Sequence, residues 1–162
     1  MLNIHYRQLD IATDTAALQA LLESAPAYSL LVEGYLPQAT AAIEAMQALP
    51  PDSSPDNKFV FGFYLNERLI GCADLCRHYP ETGIAYLGLL LFDELFQGQG
   101  FGSIAMQQLK SIAQSWQCQR IRIAVIANNT AALAFWQRQG FIELYKKPTI
   151  AYVDDAIVME CV

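Results

Sequence analysis

Hydrophobic positions recur along this chain with two periods, and the switches between them mark out its elements. Alternation from Leu2 to Leu9 predicts a half-buried strand, after which Thr13 or Asp14 can cap a helix with Leu18, Leu21 and Leu22 on one face. From Ser24 to Glu33 neither period holds. A second helix is expected from Pro37, carrying Ala42, Ile43, Met46 and Leu49 at helical spacing and stopping at Pro50-Pro51. Pro50 to Asn57 reads as loop. Lys58 to Leu65 and Arg68 to Arg77 then read as two strands joined in a short hairpin at Asn66-Glu67. Ile84 to Phe92 is apolar on both faces, which predicts a central strand covered from both sides.

Beyond Ser103 the period is helical again, through Ala105, Leu109, Ile112 and Trp116. Arg120 to Ala127 is a further strand, and the intervening helix implies a right-handed crossover that sets it parallel to Ile84 to Phe92. Asn129 to Gln139 follows as a helix capped by Asn129 and closed by Gly140, and Phe141 to Lys147 and Ala156 to Val162 end the chain as strands. The expected fold class is α/β (α+β), a central mixed and mostly antiparallel sheet of about seven strands flanked by about four helices. Residues 1–162 are expected to form a single domain, since this length suits one hydrophobic core.

Composition narrows the functions this domain can serve. Hydrophobic residues make up 54% of the chain and charged residues 16%, which suits a filled interior rather than disorder. The net charge of −6 argues against nucleic acid, whose binding needs a clustered excess of Lys and Arg. Cys72, Cys76, Cys118 and Cys161 share no pair spacing, so they read as reduced thiols; no metal is expected and the chain is expected to be cytoplasmic. Neither a leader peptide nor a run long enough to span a membrane is expected.

The candidate chemistry begins at Gln97-Gly98-Gln99-Gly100-Phe101-Gly102, which follows a strand and opens a helix. Bare backbone there lets several N–H groups converge at the positive end of the helix dipole, where an anion is stabilised. The phosphate-loop pattern fails for lack of Gly-Lys-Ser/Thr, and the dinucleotide pattern fails at Ser103. Glycines alone leave both a tight structural turn and a phosphate site open. One helix and one strand later, Asn129-x-x-Ala132-x-x-Phe135-Trp136-x-x-x-Gly140-Phe141 opens a second helix in the same way.

The pair of motifs resembles the GNAT superfamily of acyl-CoA-dependent N-acyltransferases, over Ile84 to Phe141 by motif and over the rest by element order. The resemblance implies transfer of an acetyl group from acetyl-CoA to a primary amine, directly within a ternary complex. It implies that amides from Gln97 through Gly98, Gln99, Gly100, Phe101 and Gly102 to Ser103 hold the coenzyme pyrophosphate. Leu90, Leu91 and Phe92 would pair through their backbone with the pantetheine arm, in a splay between the Ile84 and Arg120 strands. Asn129, Phe135 and Trp136 would flank the arm and the thioester. Each also has a plainer reading: Asn129 as a helix cap, Phe135 and Trp136 as core.

Two positions depart from the family pattern. Trp136 stands where many relatives have a tyrosine acid, and an indole N–H is not a useful acid. Tyr86 stands where relatives often have a glutamate base, and Ala124 occupies the alternative position on the next strand. An alkyl amine with pKa near ~10.4 is only about 0.04% neutral at pH 7, so its proton must go somewhere. Asp74, in a strand apolar on both faces, is a candidate base or a structural hydrogen-bonded carboxylate; His78 and Glu81 are weaker candidates, and His5 is read as structural. Tyr28, Glu33 and Tyr35, in the aperiodic stretch from Ala25 to Leu36, are candidates for contacting a small-molecule or peptide amine acceptor. A covalent route through a cysteine has no Cys/His setting to support it. A non-catalytic acyl-CoA sensor is the rival reading, and a homodimer is compatible with the sequence.

Overall fold

The computed structural model describes residues 3–162. Leu2, where the first strand was expected to begin, lies outside the described residues. The strands are β1 (His5–Gln8), β2 (Lys58–Leu65), β3 (Arg68–Cys76), β4 (Ile84–Phe92), β5 (Arg120–Ile126), β6 (Ile142–Lys147) and β7 (Ala156–Cys161). They form one sheet in the order β1-β2-β3-β4-β5-β7-β6. Every neighbouring pair is antiparallel except β4 and β5, which run parallel. The helices are α1 (Ile11–Glu23), α2 (Pro26–Val32), α3 (Ala41–Gln47), α4 (Phe101–Ser115) and α5 (Thr130–Arg138).

Both faces of the sheet are covered at its centre, which is why β4 reads as continuously apolar, while the edge strands β1 and β6 are exposed. Phe63, Ile70, Leu75, Ala85 and Leu87 pack with Met106 and Leu109 of α4 and Trp136 of α5 on one face. Leu18, Leu21 and Leu22 of α1 cover Val60, Tyr64, Cys72 and Leu91 on the other. Burying such a side chain contributes about 1.5–3 kcal/mol, so this double coating is the main source of stability.

Four helical expectations need correction. α1 begins at Ile11 because Asp10, not Thr13 or Asp14, is its cap: the Asp10 carboxylate accepts from Ala12 N at 2.7 Å. Asp14 instead turns inward, accepting from Asp10 N at 2.7 Å and from Arg7 at 2.8 and 3.0 Å. The stretch read as aperiodic holds α2, a short helix with Pro26 in its first turn whose buried positions are only Ser29 and Val32. α3 starts at Ala41, four residues past Pro37. α4 starts at Phe101, before Ser103. With α2 included, the described residues hold five α-helices, in keeping with the expected sheet flanked by about four.

The irregularities of β4 position the site. β4 pairs with β5 only over Ile84–Leu87 against Arg120–Ile123. Past that point β4 stays with β3 up to Phe92 opposite Gly71, while β5 stays with β7 up to Ile126 opposite Ala156. The sheet therefore splits between Gly88–Phe92 and Ala124–Ile126. At the fork the register between β3 and β4 slips, from Leu75 opposite Leu87 to Asp74 opposite Leu89, leaving Gly88 as a bulge. A bulge adds local twist and bends its strand, which helps β4 leave β5.

Candidate active site

The split opens into a cleft of about 1100 Å³ that reaches from Tyr86 and Gly88 along Leu89–Phe92 to the N-terminus of α4. Opposite walls come from Ile123–Ile126, from α5 and from the β6–β7 connection. Because the two strands no longer pair here, β4 turns unsatisfied backbone groups toward the cleft, an edge that another extended chain can complete.

At the far end α4 begins on Gly100, which has φ 91° and no side-chain cap. A left-handed cap suits glycine, and without a capping side chain the first amides of the helix, at Phe101, Gly102 and Ser103, remain free to meet an anion. Gly102 serves a second purpose, because a Cβ there would approach the Phe135 ring at 3.2 Å. Thus α5 packs directly against the start of α4. No Asp or Glu lines this cleft, whereas Arg138 and Lys147 do.

Of the residues expected at the coenzyme, Leu90, Leu91, Phe92, Gln97, Gly98, Gly100, Phe101, Gly102, Ser103, Asn129, Phe135 and Trp136 all line this one cleft. Gln99 does not; its side-chain amide donates to Leu95 O at 2.8 Å on the outside of the turn. Gln97 is held by donating to Phe92 O at 2.7 Å, which ties the turn to the end of β4. Asn129 caps α5 by accepting from Ala132 N at 3.3 Å. Trp136 is 8% exposed and sits edge-to-face with Phe135 and Phe141, so it is both core and wall.

A smaller cleft of about 290 Å³ joins the first. The two share Tyr28, Gly88, Leu89, Leu91 and Tyr152, so Gly88 stands at their junction. Tyr28, Glu33 and Tyr35, the expected acceptor contacts, all line the smaller cleft, together with Glu44 of α3. Burial, and secondarily the charge of Glu44, raises the Glu33 carboxyl above its ordinary pKa.

The two candidate catalytic residues are placed differently. Tyr86 lines the larger cleft, and burial followed by the neighbouring Tyr79, Tyr152 and Tyr145 pushes its hydroxyl up to about 12. Asp74 lines neither cleft; its carboxylate is bound to Lys58 Nζ at 2.7 Å, with the Lys58 side chain 6% exposed. Burial raises the Asp74 pKa while Lys58 pulls it back. Asp74 lies beside the junction without lining it, since a Cβ on Gly88 would lie 3.3 Å from its Oδ2. His78 accepts from Gly83 N at 3.1 Å and Glu81 meets Arg120 at 3.4 Å, and neither lines a cleft.

Sequence reasoning missed Gly88, Tyr152, Glu44, Arg138 and Lys147. Gly88 gave a signal, a glycine inside a strand, which marks a bulge or a close approach. Tyr152 lies in the β6–β7 connection, where no period points to it.

No helix of the described residues is long and apolar enough to cross a membrane. A family model described as the acetyltransferase (GNAT) family matches residues 15–141. A spermine/spermidine N(1)-acetyltransferase of Bacillus subtilis strain 168 is 33% identical over 86 residues; the match takes in 49% of this chain and 57% of that protein. The chain thus spans little more than half the length of that relative. An acetyltransferase from Thermus thermophilus superposes with a TM-score of 0.81 at 26% identity, covering 98% of this chain and 96% of that one. PaiA N-acetyltransferase from Thermoplasma acidophilum, solved in complex with coenzyme A, has a TM-score of 0.68 at 16% identity over 99% of both chains.

Proposed function

The chain belongs to the GNAT acetyltransferase family, and from that premise we propose that it moves an acetyl group from acetyl-CoA to a primary amine by direct transfer in a ternary complex. The observation that carries this reading is the joining of the two clefts at Gly88: one suits a long anionic chain, the other a small amine, and they meet at the fork of the sheet. Residues 1–162 act as one domain in this reading.

The residues present fit the coenzyme. The amides of Phe101, Gly102 and Ser103, with the Cβ-free turn at Gly98 and Gly100, take the diphosphate, and Arg138 and Lys147 add positive charge. The unpaired edge of β4 at Leu90, Leu91 and Phe92 takes the pantetheine amides as a strand would. Acetyl-CoA, when bound, supplies an activated acetyl group and a thiol leaving group. Asn129, Phe135 and Trp136 wall that group from water.

Tyr86 carries the proton in this scheme. Its hydroxyl, held up near about 12, stays protonated at neutral pH. Giving that proton to a thiolate of pKa near ~8.5 is uphill by more than ~3 units unless the phenol is refilled at once. The reacting nitrogen does this: the acceptor ammonium first loses one proton to water, then the amine attacks, and its second proton passes to Tyr86 as Tyr86 protonates the sulfur. No carboxylate base is needed, which accords with Asp74 being bound to Lys58. Asp74 acts structurally, backing Gly88. Tyr28, Glu33 and Tyr35 contact the acceptor.

Two measurements test this. Acetyl-CoA at ~100 times its dissociation constant should stabilise the fold by ~2.7 kcal/mol in a thermal-shift assay. A panel of amines should then accelerate thiol release above hydrolysis. No thermal shift would sink the coenzyme site; a shift without amine-dependent thiol release would favour a sensor.

A further inference from the structure

The smaller cleft carries more information than its size. Two carboxylates line it, Glu33 and Glu44, and no Lys, Arg or His does. Elsewhere in the described residues, buried carboxylates are matched. Asp14 holds Arg7 at 2.8 Å, Asp74 holds Lys58 at 2.7 Å, Asp93 holds Arg68 at 3.3 Å, and Glu160 holds Arg120 and Arg122 at 3.1 and 2.7 Å. Glu33, only partly exposed at the end of α2, has no side-chain hydrogen bond and no ion pair among the described residues. Glu44, exposed on α3, accepts only from Thr40 Oγ1 among the described residues, at 2.8 Å.

A partly buried carboxylate facing another without a counter-ion is electrostatically costly. Burial and the Glu44 charge both resist ionisation of Glu33. A bound cation would reverse both costs. The rest of the lining suits one: Tyr28, Tyr35 and Tyr152 are aromatic side chains of the kind that can stack on a cation, and the Tyr28 hydroxyl, half-buried where the clefts meet, has no hydrogen-bond partner among the described residues.

Resting on the acetyltransferase reading, we infer that the acceptor is an alkylamine bearing a second ammonium group, held by Glu33 and Glu44 in the smaller cleft while the reacting amine lies at Gly88. Charge also sorts the two substrates. The larger cleft has Arg138 and Lys147 and no acid, so a polyanionic coenzyme and a dicationic acceptor are each repelled from the other's place.

The test uses the full chain, acetyl-CoA and four acceptors with the same four-carbon chain: putrescine, butylamine, aminobutanol and γ-aminobutyrate. Thiol release should give putrescine a kcat/KM at least ~10-fold above butylamine, the gain expected of one well-placed charge pair. γ-Aminobutyrate should be the poorest. Glu33→Gln and Glu44→Gln should each lower the putrescine-to-butylamine ratio, by about tenfold for Glu33→Gln, and circular dichroism would confirm that each variant is folded. Equal kcat/KM for putrescine and butylamine, or an unchanged ratio in both variants, overturns the inference and leaves the acetyltransferase reading intact. Failure of every amine to release thiol overturns both.

Discussion

The two clefts share the bulged centre of β4, yet they are built from different material. The larger one is made mostly of backbone: a forked sheet edge, a glycine-rich turn and an uncapped helix start, with Arg138 and Lys147 at its rim. The smaller one is made of side chains from two seven-residue helices and a loop, and its charge is acidic. In the proposed function, the backbone site takes what every acyl-CoA has in common. A side-chain site on short helices can be rebuilt without disturbing the sheet, which is where acceptor specificity belongs.

Substitutions should separate the two. Gly100→Val forces a branched side chain into a left-handed cap at φ 91°, displacing the free amides. Acetyl-CoA affinity should fall by more than ~100-fold by calorimetry. Retention of affinity would mean that the diphosphate binds elsewhere. Tyr86→Phe removes the proposed proton carrier in the larger cleft, and kcat should drop by about 10²-fold while coenzyme affinity hardly changes. Because burial pushes the Tyr86 hydroxyl up to about 12, the wild-type rate should show no break from Tyr86 below about pH 10. Equal losses in kcat and coenzyme affinity would argue that Tyr86 only packs.

Arg138→Ala should weaken acetyl-CoA by about tenfold, the size of one charge-assisted contact, without altering the choice among amines. A change in amine preference would break the division of labour between the clefts. The smallest effect on either cleft is expected at Asp14, which lies outside both. Arg7 and the Asp10 amide lower its pKa to about 2. A depressed carboxyl stabilises the fold above its unfolded pKa near ~3.9 and loses that contribution as pH falls through the folded value. Asp14→Asn should therefore cost about 1–2 kcal/mol in denaturant melts at pH 7 and almost nothing near pH 2. Coenzyme affinity and amine choice should not move.

The same division explains how far the sequence could be read. β2 and β4 came out with the bounds expected from their patterns, because a strand buried on both faces or paired in a tight hairpin leaves a local signature. The glycine turn and the Asn129 segment were legible as the starts of two helices, and the fold brings both to one cleft. α2 was not legible: seven residues with buried positions only at Ser29 and Val32 are too few to set a period. Glu44 belongs to a helix of ordinary amphipathic pattern, and only the fold brings it across from Glu33. Asp74 looked like an isolated buried charge because Lys58, sixteen positions earlier, meets it through the pairing of β2 with β3. Partners joined across a sheet leave no mark in the local pattern.

The most direct test of the two-cleft account is a crystal structure of the chain with coenzyme A and putrescine bound together. The account predicts the diphosphate on the amides of Phe101, Gly102 and Ser103, the pantetheine arm between β4 and β5, and the diamine with one nitrogen beside Gly88 and the other at Glu33 and Glu44. Coenzyme density outside the forked sheet, or a diamine lying elsewhere than between Glu33 and Gly88, would contradict it.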